Sequence, residues 1–315
     1  MTITQYEYIV AVDTYKSFGE AAKKCFVTQP TLSMQIQKME QDLDVIIFDR
    51  SKKPVTSTET GALIIEQARR ILEAHYRVAE LIKDLKEEIS GELHIGVIPT
   101  IAPYLLPEVL EKFLKKYPQV KVFIREAMTS EIISSLKNNT LDCGIAAVPV
   151  DDNSIKSDFL YYESFVAYVS RSSKSFKNRS TSLKDLADEN ILLLTEGHCM
   201  RNAVMNICSI SGNKDSFNLH YEAGSLETLK SMVEREQGVT LMPELALRKL
   251  TNAQLNRVRY FKAPEPVREI GLIQHRSHLK MKLINLFKIE VLGTIPERMK
   301  REKKRLVYAA NGETV

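Results

Sequence analysis

Between residues 64 and 89, Ile64, Ala68, Ile71, His75, Val78, Ile82, Leu85 and Ile89 recur at alternating intervals of four and three. A hydrophobic repeat of about 3.5 residues, sustained over more than three heptads, reads as one long helix that packs lengthwise on another helix. The helix is expected over about Gly61 to Ser90, with Glu66, Arg69, Arg70, Glu73, Lys83 and Glu87 on its flanks. The chain offers no second helix of comparable length, so the expected partner is a second copy and the segment is a dimerisation linker. His75 falls in the seam, where a polar residue sets register. The helix also divides the 315-residue chain into a short head and a long body, and length predicts about two or three compact units.

The head reads as short helices followed by a ribbon. Ser17 and Glu20 have the spacing of a capping box and should open a helix that presents Phe18, Ala22 and Cys25 on one apolar stripe. After Phe26-Val27, a cap at Thr28 or Gln29 with Pro30 in the first turn starts a further helix. It should bury Leu32, Ile36, Met39 and Leu43 and turn Thr31, Gln35 and Lys38 outward. Two helices joined by a short turn, the second with a polar outer face, form a helix-turn-helix. Val45 to Arg50 and Val55 to Ser57 then read as strands around Ser51-Lys52-Lys53-Pro54, a wing with exposed cations.

In the body, strands alternate with helices. Leu93-Ile95-Val97, Val120-Val122-Ile124, Cys143 to Val148, Phe165 to Val169, Ile191 to Leu194 and Val239 to Met242 are strand-like. Helices are expected at Leu105 to Lys116, Glu131 to Asn138, Leu183 to Ala187, His198 to Ile210 and Leu226 to Glu236. Such alternation implies parallel sheets covered by helices, in two α/β lobes at this length.

Composition excludes several classes. With 44% hydrophobic and 27% charged residues the chain is globular rather than disordered or collagenous. There is no apolar run of 18 residues, and Glu7 and Asp13 interrupt the amino terminus, so neither a membrane span nor a secretory signal is expected and the location is read as cytoplasmic. Four cysteines do not make a disulfide scaffold; Cys25 and Cys143 read as core thiols, and no Cys/His cluster suggests a metal or other cofactor.

The net charge of +4 resides in residues 297–305, where six basic side chains meet two acidic ones. Residues 1–60 carry seven basic and eight acidic side chains. DNA affinity must therefore come from placed contacts and repeated copies. Gln29 and Gln35 have amides suited to adenine edges, Thr28, Thr31 and Ser33 can reach phosphates or bases, and Lys38 can neutralise a phosphate. Arg50, Lys52 and Lys53 are expected to grip the backbone from the wing.

A second constellation is Gly197-His198-Cys199-Met200-Arg201, followed by Cys208. A strand runs into it and a helix begins there, so Cys199 lies in the first turn, with His198 and Arg201 expected to add positive charge. Lowering a thiol pKa from about 8.5 to about 6 raises its thiolate fraction at neutral pH roughly thirtyfold. Cys208, among Val204, Ile207 and Ile210, reads as a buried thiol. Nine helical residues separate two Cα atoms by about 13.5 Å on opposite faces, whereas a disulfide needs about 4.4–6.8 Å. Thiols on one continuous helix cannot bridge without remodelling it.

Ala21-Ala22 ahead of Val27-Thr28-Gln29-Pro30-Thr31-Leu32-Ser33, then Ile36, Glu40, Leu43, Phe48 and Arg50, resembles the winged helix-turn-helix of LysR-type transcriptional regulators. The resemblance implies an α/β body of two lobes like periplasmic ligand-binding proteins. It divides the chain into a DNA-binding domain at 1–60, a linker at 61–90 and a regulatory domain at 91–305. Lobe I would be 91–162 plus 268–305, lobe II 163–267, and 306–315 a tail. Promoter DNA, a homodimer or homotetramer, and RNA polymerase are the partners it implies.

Gly197-His198-Cys199, with a second cysteine nine residues on, further resembles the peroxide-sensing OxyR branch of that family. This implies that hydrogen peroxide oxidises Cys199 to a sulfenic acid, that Cys208 resolves it to a disulfide, and that a thiol reductant resets the switch. It also implies a peroxide pocket of Thr100, Thr129 and His198, with Arg201 and Arg268 in structural or tuning roles. Asn202 stands where relatives commonly carry Asp. An activator rather than an enzyme is expected; the alternative is a LysR-type regulator that senses a small metabolite in the lobe crevice with silent cysteines. Gln35→Ala is expected to weaken specific operator binding without loss of folding, and an unchanged footprint and affinity would remove Gln35 from the readout.

Overall fold

The computed structural model describes residues 1–85, 89–186, 189–209, 222–276, 281–301 and 305–307, excluding the side chains of 73, 77, 79–85, 206–209 and 305–307. The chain forms two compact units that meet in sequence at Glu88 and Ile89.

The first unit contains α1 (Ile3–Tyr15), α2 (Phe18–Lys24), α3 (Gln29–Leu43), β1 (Phe48–Asp49), β2 (Thr56–Ser57) and α4 (Glu59–Leu85). Thr2 caps α1 in a full capping box with Gln5. At α2 only half of that motif forms: Ser17 accepts from the Glu20 amide, while the Glu20 carboxylate turns to Lys23 at 2.7 Å. Cys25 is the C-cap of α2, half-buried and just past the helix. Thr28 is the cap of α3, and Leu32, Ile36 and Met39 face inward onto Ile9 and Val12 of α1 and Phe48 of the wing. The β1–β2 hairpin pairs antiparallel, Phe48 opposite Ser57.

Helix α4 carries two apolar stripes. Ile65, Ala68 and Leu72 are buried, with Ile65 and Ala68 inside the core of this same unit, whereas Ile71 and Val78 of the expected seam are exposed. Ala68 therefore packs within its own head and not in an intermolecular seam. Adjacent stripes on one helix differ by a single residue, so periodicity alone assigned Ala68 to the wrong one. The side chains of Ile82 and Leu85 lie outside the described residues.

The second unit contains β3 (Gly91–Val97), α5 (Ala102–Lys116), β4 (Val120–Glu126), α6 (Thr129–Lys137), β5 (Cys143–Val148), β6 (Ile155–Val169), β7 (Ser180–Thr181), β8 (Leu193–Leu194), α7 (Cys199–Ser209), β9 (Glu222–Ala223), α8 (Leu226–Glu234), β10 (Val239–Pro243), α9 (Asn252–Leu255), β11 (Val258–Phe261), β12 (Glu265–His275), α10 (Met281–Thr294), α11 (Glu297–Lys300) and β13 (Arg305–Val307). The expected helix at Leu183 to Ala187 is one short 3-10 turn at Lys184–Leu186.

The sheet runs β4-β3-β5-β12-β6-β11-β7, with β10 also on β6 and β13 beside β12. Strands β3, β4 and β5 are parallel, as expected of strands joined through helices. The expectation of parallel sheets fails at the centre: β12 is antiparallel to both β5 and β6, and β10 and β11 are antiparallel to β6. The reason is length. The 15-residue β6 pairs with β12 through its first part and with β10 and β11 through its last, so one strand serves both halves of the sheet.

Arg268 on β12 lies directly across from Glu163 on β6. The guanidinium donates to Glu163 Oε2 at 2.7 and 3.0 Å, and through Nη1 to Thr100 Oγ1 at 2.9 Å. Arg268 and Glu163 are each 1% exposed. Burial pushes the Glu163 carboxyl up, against the opposing pull of Arg268. Removing one member of a buried pair strands the other charge. Glu163→Ala is therefore expected to destabilise the protein by about 3–5 kcal/mol; a urea midpoint equal to the unmodified chain's would show that the pair does not hold the strands.

Candidate thiol site and nucleic-acid interface

The thiol site is built where two helices start. Helix α6 follows β4 and begins at Thr129; α7 follows β8 and begins at Cys199. Gly144 lets α6 sit low on the sheet, since a Cβ there would stand 2.6 Å from Ile132. Gly197, at φ +91°, makes the turn into α7, and the Met128 side chain lies against it. The two first residues then meet: Thr129 Oγ1 and Cys199 Sγ are 3.0 Å apart in hydrogen-bond contact. Both residues thus occupy first helical turns, the end of a helix where backbone amides and the dipole favour negative charge.

The charges expected from the neighbours are elsewhere. His198 is 4% exposed, and burial lowers its pKa, so the imidazole is held in its neutral form. Its Nε2 is buried with no hydrogen-bond partner among the described residues. Arg201 donates to Leu194 O at 2.8 Å and pairs with Glu222 at 2.6 Å, tying α7 to β8 and β9. Both residues had been expected to add positive charge beside Cys199. Tertiary burial neutralises the first, and a carboxylate occupies the second.

Thr100 is 3% exposed, and its hydroxyl accepts from Arg268. Val97 and Glu126 are paired at the ends of β3 and β4, and Thr100 and Thr129 each lie three residues beyond, at the carboxyl ends where open α/β sheets bind ligands. The Thr129–Cys199 contact is direct, while Thr100 is fixed through Arg268. Cys199 and Cys208 are both residues of the continuous helix α7, so the nine-residue offset applies, although the Cys208 side chain lies outside the described residues. Cys143 is buried in the core of the second unit. Among the described residues no group of three His, Cys, Asp or Glu could hold a metal ion, and no helix is long and apolar enough to cross a membrane.

On the head, Thr28, Gln29, Thr31 and Lys38 are exposed along the outer face of α3. Thr28 Oγ1 and Thr31 Oγ1 share a hydrogen bond at 2.8 Å. Gln35 is half-buried and accepts from the Gln5 amide at 3.4 Å, so it is partly held by α1. Glu40 organises the wing: Oε1 accepts from the Ile47 and Phe48 amides at 2.8 and 3.2 Å, and Oε2 from Arg50 at 2.8 Å. Arg50 also donates to Ser33 Oγ at 3.2 Å and covers the Phe18 ring. Arg50 and Ser33 are thus engaged with one another and with Glu40 in the head, because an acceptor on α3 faces the wing. Lys52 pairs with Asp49 at 3.5 Å, and Lys53 is exposed. Sequence reasoning passed over three residues: Glu163, which is buried, and Met34 and Phe26, which are apolar yet exposed.

Two family models match the chain: the bacterial regulatory helix-turn-helix protein, lysR family, at residues 3–62, and the LysR substrate binding domain at 86–292. A hydrogen peroxide-inducible genes activator of Haemophilus influenzae is 36% identical over 87% of this chain and 90% of its own. The DNA-binding transcriptional dual regulator OxyR of Escherichia coli is 35% identical over 87% and 89%. Among solved structures, a full-length OxyR cysteine mutant from Pseudomonas aeruginosa superposes with a TM-score of 0.79 at 31% identity, covering 94% of this chain and 99% of that one. A hydrogen peroxide-bound cysteine mutant of Corynebacterium glutamicum OxyR gives a TM-score of 0.62 at 26% identity, with 93% and 92% covered. Head, body and thiol site considered together, the chain belongs to the LysR family of bacterial regulatory helix-turn-helix proteins, in its OxyR branch.

Proposed function

We propose that this protein is a hydrogen peroxide-responsive transcriptional regulator whose sensor is Cys199 and whose resolving thiol is Cys208. The observation that carries this reading is the 3.0 Å contact between Thr129 Oγ1 and Cys199 Sγ at the meeting of two helix N-termini. The Cys199 thiolate attacks one peroxide oxygen; the O–O bond breaks, sulfur takes one oxygen as sulfenic acid, and the other leaves as hydroxide and is protonated to water. The Thr129 hydroxyl orients peroxide and donates toward the developing charge, and Thr100, held by Arg268, supplies a second hydroxyl. Neutral His198 lines the pocket and offers Nε2 to the departing oxygen. The Cys208 sulfur then displaces water from the sulfenic sulfur, closing a disulfide.

Closing it requires α7 to unwind, since the Cα atoms of its two cysteines start about 13.5 Å apart along the helix. That remodelling is the signal: a covalent bond selects between two arrangements of lobe II, taken as residues 163–267, against lobe I, residues 91–162 plus 268–305. Arg201 and Glu222 anchor the reduced arrangement. The linker helix pairs two copies through its exposed Ile71 and Val78 stripe, and two such dimers place four heads on promoter DNA. Thr28, Gln29, Thr31 and Lys38 contact the operator, with Lys52 and Lys53 at the backbone. RNA polymerase is the downstream partner, a cytoplasmic thiol reductant restores the dithiol, and the chemistry is one event per signal and not enzymatic turnover.

After one equivalent of peroxide, mass spectrometry is expected to find a peptide bridging Cys199 and Cys208, absent in Cys199→Ser and replaced by a Cys199 sulfenic acid in Cys208→Ser. Thr129→Val is expected to slow oxidation about tenfold by removing a hydrogen bond to the charged sulfur. Peroxide-dependent change in operator contacts that persists in Cys199→Ser would refute the thiol sensor; saturable metabolite binding with the same effect in both proteins would establish the metabolite regulator instead.

A further inference from the structure

Helix α2 ends in a Schellman arrangement, with the Val27 amide donating to Ala22 O at 3.0 Å and the Phe26 amide to Lys23 O at 3.3 Å. The residue just after the cap, the second of these donors, takes the left-handed conformation and is usually glycine, which has no Cβ to meet the backbone carbonyl. Here it is Phe26, at φ +56°. A bulky side chain in that region is unfavourable. Its ring is also 95% exposed, so it contributes no packing to the fold. Local backbone preference and burial both argue against phenylalanine, and nothing among the described residues offsets either.

The surroundings say what the ring meets. Phe26 stands two residues before Thr28, the cap of α3, and beside exposed Gln29, Pro30 and Thr31. In a helix-turn-helix this end of the second helix enters the major groove. The one apolar feature of base edges there is the C5-methyl group of thymine. We propose that Phe26 is a base-reading contact whose ring packs on a thymine methyl in each operator half-site, supplying apolar discrimination beside the hydrogen bonds of Gln29. This deepens the DNA-binding part of the function proposed above and rests on it.

The test uses the full-length protein and a duplex that it enriches from a random-sequence pool. Each thymine in turn is replaced by deoxyuridine, which removes only the methyl, and affinities are measured for the unmodified chain, Phe26→Asn and Phe26→Leu. The unmodified chain is expected to lose about fourfold at one thymine per half-site, the worth of one buried methyl. Phe26→Asn is expected to bind the unsubstituted duplex about tenfold more weakly and to show no penalty at that thymine, while unfolding at the same or higher urea concentration, because Asn tolerates the left-handed position. Phe26→Leu keeps part of the methyl penalty. Undiminished affinity in Phe26→Asn, a uracil penalty that survives in it, or a loss of affinity with no thymine dependence in the unmodified chain would overturn the assignment. Failure of the unmodified chain to enrich any duplex would instead refute the DNA-binding reading itself.

Discussion

The sheet of the second unit is held in register by a charge pair that water does not reach. Arg268 and Glu163 face one another across β12 and β6, joined by two hydrogen bonds and a third to Thr100. Desolvating both charges is expensive, and the attraction offsets that only while the geometry holds. Sliding β12 along β6 by one residue would flip the two side chains to opposite faces and leave each buried alone. The register irregularity between Ile270 and Gly271 begins two residues away, so the pair fixes the regular stretch next to the place where regularity ends. Thr100, at the end of β3, inherits its position from this lock.

The thiol site draws on different physics. Its polarity is a property of backbone ends: α6 and α7 each present a first turn, and Thr129 and Cys199 are the residues that occupy them. Such a site needs no cationic side chain, which agrees with His198 being neutral and Arg201 being occupied by Glu222. The same helix that begins at one cysteine keeps the other a full two turns and more away. In the mechanism proposed above, activation and resolution therefore depend on opposite states of α7, intact for the first step and broken for the second.

Much of this was legible in the residues, and the failures share a cause. A cap at Thr28 or Gln29, a buried α3 face and the first-turn placement of Cys199 depend on local rules; the cap is Thr28, Leu32, Ile36 and Met39 are buried with Leu43 half-buried, and Cys199 begins α7. The direction of β6 and β12 was not legible, because apolar strands encode burial and not polarity of pairing. Ala68 was ambiguous between neighbouring stripes of α4 for a similar reason. Arg50 was read as a free cation because its acceptor, Glu40, lies ten residues earlier on another element. His198 was read as charged because its burial is a tertiary fact.

The internal spending of charge in the head has a thermodynamic reading. Of seven basic side chains in residues 1–60, Lys16, Lys23 and Arg50 pair with acids of the head at 2.6–2.8 Å, while Lys52 meets Asp49 only in an exposed 3.5 Å contact, which leaves Lys24, Lys38, Lys52 and Lys53 to displace counterions from DNA. Counterion release adds roughly 0.9 to the logarithmic salt slope for each phosphate neutralised, so one head gives a slope of only about −3.6. A steep salt dependence then cannot come from any single head. The slope becomes a count of how many heads touch the duplex at once, and a redox change that lifts or lowers a pair of them would appear as a step in ionic-strength dependence even where the affinity at one salt concentration hardly moves.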